Sequence, residues 1–540
     1  MISKKNLFTV LVVCSSLCSF GQSKEAPKLV VGVVVDQMRY DFLYRYYSKY
    51  GEGGFKRLLN KGYSCKNTNL NYTPTVTAAG HAAIYTGATP SVNGIIGNDW
   101  YERTSRKSVY CTADSTVNTV GSTSSAGEMS PRKMLVSTIC DQLHLANNMQ
   151  SKVIGIALKD RGAILPAGHT ANAAYWYDNS GNWISSTYYM NQLPEWVNTF
   201  NDKKIPASYL SKPWNTLLPI EQYTESTADN VPFEEKYTKE DKPVFPHNLP
   251  QLKNDDFELI RSTPFGNSLT KDFAMETIRA EKLGAGKFTD FLTVSFSSTD
   301  YIGHQFGPYS IEMEDTYLRL DKDLEDFLNF LDTQVGKDNY LFFLTADHGA
   351  AYNELFMKEK KIPTGIFSSS KMTTIINGFL NKTYGEANWI AYTINSQIYL
   401  NHSTIFGKKL NLAEVQAKIA ELILPLDGVA GVVTATDIKK NEFTSLPNKF
   451  IKNGYNEKRS GDVIITLQPG WMDYKETGTT HGTAYSYDTH VPLLWYGWEI
   501  QQGASSTPVN ITDIAPTIAT LLNIESPNGC TGVPISGVVK

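Results

Sequence analysis

The sequence predicts an α/β fold, an αβα sandwich with a mostly parallel central sheet. Three observations carry this. Short, continuous apolar runs at 28–35, 152–158, 291–296 and 340–345 read as strands buried on both faces, as in a parallel sheet. Helically patterned segments separate them, among them 136–147, 271–282 and 311–334. Each run ends abruptly in polar residues, and open α/β sheets bind their ligands beyond the carboxyl ends of the strands.

The first residues read as an export signal. Lys4 and Lys5 precede an apolar stretch at 7–18 that is too short to span a bilayer. Ser19-Phe20-Gly21 is a small-x-small cleavage site. Cys14 and Cys18 lack a good lipobox before them. The mature chain, 22–540, is therefore expected in the periplasm or secreted. It is expected to form a single catalytic domain with insertions at about 168–284 and 355–460. No later stretch is apolar for long enough to cross a membrane. A net charge of −4 without basic runs argues against nucleic acid or an anionic membrane surface as a general partner. The remaining cysteines, Cys65, Cys111, Cys140 and Cys530, are even in number and permit disulfides of undetermined pairing. Their spacing does not suit a thiolate metal site.

The run 28–35 ends at Asp36, and 40–50 carries aromatics at helical spacing. A connection at 59–71 leads to Thr73-Pro74-Thr75-Val76-Thr77-Ala78-Ala79-Gly80-His81, where a polar turn enters a small-residue helix. A threonine at that junction either caps the helix or is a nucleophile placed where free N–H groups favour an anion. A glycine-rich loop at 91–100 holds Asn98. The run 152–158 delivers Lys159-Asp160-Arg161. Between 168 and 284 the periodicity weakens, and Trp176, Tyr177 and Trp183 are expected to form a satellite core within an insertion or lid.

The run 291–296 ends near Asp300, and His304 follows four residues later, on the same face of a helical turn. The run 340–345 delivers Asp347-His348. A helix at 412–424 belongs to a second peripheral segment. Two further strands, 462–467 and 491–496, flank His481 in a Thr/Gly loop, and a helix at 511–522 closes the chain.

Asp36, Asp300, Asp347, His304, His348 and His481 make a mixed oxygen/nitrogen donor set that suits zinc and leaves open positions for substrate. Two cations roughly 4 Å apart suit an in-line displacement at phosphorus. Any one of these residues alone reads as a cap, a solvated face or a loop histidine. Together, at successive strand ends and beside a hydroxyl, they read as a site. His81, His169 and His490 receive no role as ligands.

Val-Val-Asp36, Pro74-Thr-Val-Thr77, Thr299-Asp300-Tyr-Ile-Gly-His304, Ala346-Asp347-His348-Gly349 and Thr480-His481-Gly482 together resemble the alkaline phosphatase superfamily. They run in the family order over most of the mature chain. The threonine in its P-T-x-T context is also similar to that of the nucleotide pyrophosphatase/phosphodiesterase branch. Lys159-Asp160-Arg161 with Asn98 resembles the PafA-type periplasmic alkaline phosphatases. The C/S-x-P-x-R motif of the sulfatase relatives is not supplied by Cys65-Lys66-Asn67-Thr68-Asn69. The resemblance implies two Zn²⁺ ions, one on Asp300, His304 and His481, the other on Asp36, Asp347 and His348 with Thr77. It also implies a phosphothreonine intermediate at Thr77.

Asn98, Lys159 and Arg161 are expected to bind the nonbridging oxygens. Cations there favour a phosphomonoester dianion over a diester. The expected activity is a monoesterase of broad specificity, a monomer acting on small phosphorylated metabolites. The alternative is a phosphodiesterase or nucleotide pyrophosphatase on the same metals. A non-catalytic phosphate- or metal-binding protein would have no use for the Thr77 nucleophile.

Overall fold

The computed structural model describes residues 25–254 and 256–539. The expected signal peptide lies outside the described residues. Ten strands form one sheet whose middle is parallel. Leu29–Val35 is its axis, with Asp290–Phe296 on one side and Tyr340–Thr345 on the other. Val153–Ala157 and then Ala173–Tyr177 extend it in parallel. Every residue of these five strands is buried. A strand covered on both faces has no solvent side, which is why four of them read as unbroken apolar runs. The sheet turns antiparallel toward its edges, at Leu493–Gly497 on one side and Trp183–Ser186 on the other. One group of packed helices includes Thr77–Thr86 and Asp160–Ala167, and another includes Phe265–Glu281, Ser298–Phe306 and Ile311–Leu331. The architecture is the expected αβα sandwich.

Three expectations change. Ala173–Tyr177 and Trp183–Ser186, placed within an insertion by the sequence, are strands of the central sheet. Tyr175, Tyr177 and Trp183 are main-core side chains, the Trp183 ring stacking on Phe273 with centroids 4.2 Å apart, whereas Trp176 belongs to a smaller cluster with Ala163, Ile164 and Ile184. Aromatic residues fit a pleated surface as well as β-branched ones do, so the unusual composition concealed ordinary strands. The strand at Val463–Leu467 joins Ile390–Ile394, Gln397–Leu400 and Val429–Thr434 in a separate four-stranded sheet. That sheet has its own core, built on Met372, Ile376, Trp389, Ile398, Val415 and Ile419. Finally, all four described cysteines are free thiols. Burial pushes the Cys65 thiol up to about 12. Among the described residues no helix is long and apolar enough to cross a membrane.

Candidate bimetal active site

Thr77 is the first residue of the helix Thr77–Thr86, and the N-cap position belongs to Val76, which offers no side-chain bond. The capping duty falls to Asn98, whose Oδ1 accepts the Ala78 N–H at 2.9 Å. The Thr77 hydroxyl is thereby released from the structural role that a threonine at a helix start usually performs. It lies 3.5 Å from His348 Nε2. The small-residue character of this helix has a steric cause. A Cβ on Gly80 would sit 2.3 Å from the Asp347 carbonyl oxygen, so only glycine lets the helix approach that strand end.

The six acidic and imidazole side chains converge beyond the strand ends. Asp300, His304 and His481 group together, with His304 Nε2 at 3.2 Å and His481 Nε2 at 3.6 Å from Asp300 Oδ1. On the other side, His348 Nε2 lies 3.5 Å from Asp36 Oδ1 and 3.5 Å from Asp347 Oδ2. Donor atoms around a tetrahedral ion with bonds of about 2.1 Å are separated by about 3.4 Å. Both sets of spacings match that value. The tautomers agree as well. His348, His304 and His481 each place Nδ1 within 2.7–2.9 Å of a backbone carbonyl, those of Gly349, Thr479 and Thr75. A carbonyl accepts only, so Nδ1 carries the hydrogen and each Nε2 keeps its lone pair for a cation.

Two carboxylate oxygens, Asp36 Oδ1 and Asp347 Oδ2, are buried without a hydrogen-bond partner. An orphaned charged oxygen in a protein interior is costly unless something positive meets it. Burial and the neighbouring Asp347 charge push the Asp36 carboxyl well above its ordinary range. Burial would also raise Asp300, but His304 and Lys159 hold it well below that range. For His481, burial and the facing His348 and His304 rings favour the neutral, ligating form. The donors fit two divalent cations. Asp300 also lies within ligand reach of Asp36 and His348, so it borders both groups.

Lys159 lies between the two groups. Its Nζ donates to Asp36 Oδ2 at 2.6 Å and to Asp300 Oδ2 at 2.5 Å. It bridges the two groups. Arg161 has no carboxylate partner within ion-pair distance among the described residues. Its neighbour Asp160 is occupied by the hydroxyls of Tyr110 and Thr112, and Arg161 Nη1 donates to the same Tyr110 hydroxyl at 2.9 Å. With Asn98 Oδ1 committed to the helix, the amide NH₂ is the end able to meet an anion.

Three further residues support the site, and two of them, Gln37 and Asp488, escaped the sequence reading. Gln37 has a left-handed backbone (φ 62°). Its N–H donates to Asp347 Oδ1 at 3.2 Å, and its Nε2 donates to Asp300 Oδ1 at 2.7 Å. One strained residue thus orients a carboxylate of each group, and nothing in the local sequence announces it. His81 lies against the Thr77 carbonyl (2.9 Å), the Ser295 hydroxyl (2.9 Å) and Asp347 Oδ2 (3.3 Å). Its position four residues after Thr77 was the available signal. Asp488 Oδ2 accepts from Gly482 N, Thr483 N and the Thr483 hydroxyl, fixing the loop that carries His481.

The sequence model of the type I phosphodiesterase/nucleotide pyrophosphatase family matches residues 30–491. The chain belongs to that family, within the alkaline phosphatase superfamily. It is 50% identical over 541 residues to alkaline phosphatase PafA of Elizabethkingia meningoseptica, covering 99% of each chain. It is 49% identical over 526 residues to alkaline phosphatase PhoV of Synechococcus elongatus, covering 96% of this chain and 94% of that one. The crystal structure of wild-type PafA superposes with a TM-score of 0.93, covering 95% of this chain and 99% of that one. A further PafA structure carries substitutions at one threonine, one asparagine, one lysine and one arginine. The family is one of hydrolases, and the fold of this member is that of PafA.

Proposed function

We propose that the chain is an exported phosphate monoester hydrolase of broad specificity, using two divalent cations and Thr77 as the nucleophile. The observation that carries this reading is the placement of Thr77. Its hydroxyl is free of capping duty and stands at a helix N-terminus, at ligand spacing from His348 Nε2. When bound, the two cations would supply Lewis-acid charge at the Thr77 hydroxyl oxygen and at the leaving oxygen. The donor set favours zinc. Asp36, Asp347 and His348 would hold one ion, and Asp300, His304 and His481 the other.

Thr77 Oγ attacks phosphorus, the bond to the leaving oxygen breaks, and a phosphothreonine remains. Water then cleaves that ester, releasing phosphate and restoring Thr77. Asn98 and Arg161 supply donors to the nonbridging oxygens, Arg161 through a planar fork suited to two of them. Lys159 balances the carboxylates of both groups and holds its charge beside the transferred phosphoryl. The four residue types substituted together in the PafA variant are those of Thr77, Asn98, Lys159 and Arg161, which supports treating them as one machine. Small phosphorylated metabolites are the proposed substrates, and the proposed form is a periplasmic monomer.

A second reading, a phosphodiesterase, is favoured by the commitment of Lys159 to Asp36 and Asp300, which leaves Arg161 as the unpaired cation of the pair. The deciding experiment is kcat/KM of the zinc-loaded protein on an aryl phosphate monoester and on the matching methyl diester, each repeated after chelation. A strong monoester preference abolished by chelator is expected. A diester preference transfers the chain to the second reading.

A further inference from the structure

The separate four-stranded sheet reaches into the main body at one hairpin tip. Ile390–Ile394 and Gln397–Leu400 pair antiparallel and are joined by Asn395-Ser396. Both tip residues have left-handed backbones, φ 52° and 56°. Two consecutive positive φ values make the tight turn that matches strand twist, and Asn-Gly is its preferred sequence. Here a serine takes the second position, where a Cβ is unfavourable. The tip is held nonetheless, since the Ser396 carbonyl accepts the Ile465 N–H at 2.9 Å.

What the tip touches is the stretch that carries Asn98. Asn395 Nδ2 donates to the Asp99 carbonyl at 3.1 Å. A Cβ on Gly97 would lie 2.6 Å from that same Nδ2, so glycine is what admits the amide. The Asn98 carbonyl accepts the Cys111 N–H at 2.8 Å, and its side-chain oxygen accepts the Ala78 N–H at 2.9 Å. Asn98 is therefore held by its own strand pair and by the helix that starts at Thr77, and Asn395 from the other sheet holds its two chain neighbours, Gly97 and Asp99. Further along, the Tyr101 ring stacks on Tyr392 of the same hairpin, with centroids 5.8 Å apart.

We propose that Asn395 is a positioning residue for the reaction: its amide, bonded to the Asp99 carbonyl beside Gly97, sets where Asn98 presents its NH₂ to the phosphoryl oxygens. The inference rests on the proposed role of Asn98. It gives the peripheral sheet a function in the chemistry, because a donor to a transferring phosphoryl group acts only if held within a fraction of an ångström.

The test is a mutant cycle. Asn395→Gly keeps the left-handed turn at no steric cost and removes only the amide. It should lower kcat/KM on an aryl phosphate monoester by roughly tenfold, the value of one well-placed hydrogen bond. It should also weaken inorganic phosphate binding, read by calorimetry, while leaving bound metal per chain unchanged. Asn395→Asp, isosteric but lacking the donor, should reproduce the loss and serves if the glycine loosens the hairpin. In an Asn98→Ala background both losses should vanish, and in an Arg161→Ala background they should persist in full. Wild-type kcat/KM and phosphate affinity in Asn395→Gly, or equal losses in the two backgrounds, would overturn the proposal. A wild-type protein that turns over no monoester strikes the proposed function instead, and the phosphate-binding cycle still decides this inference.

Discussion

The two halves of the site differ in how far they are sunk into the protein. Asp36, Asp347 and His348 are wholly buried, with side-chain exposures of 0%. Asp300, His304 and His481 lie nearer solvent, at 5%, 28% and 7%. The buried group sits directly on the ends of two adjacent parallel strands, Leu29–Val35 and Tyr340–Thr345, and against the helix that begins at Thr77. The outer group depends on a short helix, Ser298–Phe306, and on the loop around His481. Rigid elements therefore hold the side of the proposed nucleophile, while the side proposed to meet the leaving group and incoming water is open and loop-borne. That division suits a two-step displacement. In the proposed reaction the first oxygen to react, that of Thr77, is a fixed part of the protein, and the partners exchanged during turnover need access.

The largest expected effect breaks or confirms this asymmetry. His348→Ala should lower kcat/KM on the order of 10⁴-fold, because it removes a proposed ligand from the half proposed to activate Thr77. His304→Ala should cost roughly 10²-fold, since solvent can enter the vacated position at the partly exposed site. Metal per chain, measured alongside activity, should fall toward one in His348→Ala and stay nearer two in His304→Ala. A larger loss from His304→Ala would reverse the roles assigned to the two halves.

The next comparison separates the two cations that follow the strand Val153–Ala157. Arg161→Ala should cost about 10²-fold on a monoester and less than tenfold on the matching diester, because its guanidinium has no carboxylate to serve. The sequence suggested the same selectivity for Lys159, but its geometry argues otherwise. Removing Lys159 leaves Asp36 Oδ2 and Asp300 Oδ2 without their shared cation, which disturbs both halves. Lys159→Ala should therefore lower both activities to a similar degree. Monoester-selective loss in both variants would restore the original reading of Lys159.

All the candidate ligands were legible in the sequence because of how a parallel sheet is built. Strands buried on both faces stand out as apolar runs, and the polar residues within a few positions after each mark the functional edge. Asp36, Lys159, Asp300 and Asp347 were found that way. Thr77 was visible as a hydroxyl at the start of a small-residue helix, although the reason for the small residues, the close pass of Gly80 over Asp347, required the fold. The unreadable parts are those decided by distant partners. Gln37 acts because the absence of a Cβ on Gly303 admits its side chain beside Asp300. The hairpin at Asn395-Ser396 lacks the glycine that would have announced it. The strand Tyr63–Cys65 is only three residues long and carries no pattern.

The smallest effect concerns the loop that makes the outer half adjustable. Asp488 is fully buried, and burial pushes its carboxyl up to about 7, against the N–H and hydroxyl bonds from Gly482 and Thr483 that favour the charge. A folded-state value above the unfolded one means that this group's contribution is fully present below about pH 4. It is lost as pH rises toward 7, and the cost is constant beyond that. All three of its donors meet Oδ2, and Oδ1 has no partner. An asparagine can therefore keep every bond through its carbonyl oxygen while removing the buried charge. Asp488→Asn should stabilise the fold by about 1–3 kcal/mol above pH 7, after the cost of an unpartnered NH₂. The gain should shrink steadily from pH 7 to pH 4 and be least below that, as read by denaturant unfolding of the metal-free protein. If instead the variant is less stable than wild type at pH 9, the carboxylate charge itself is holding Gly482 and Thr483. The His481 loop would then be set by electrostatics rather than by the geometry of its three hydrogen bonds, and the outer half would be stiffer in alkaline solution than its exposure suggests.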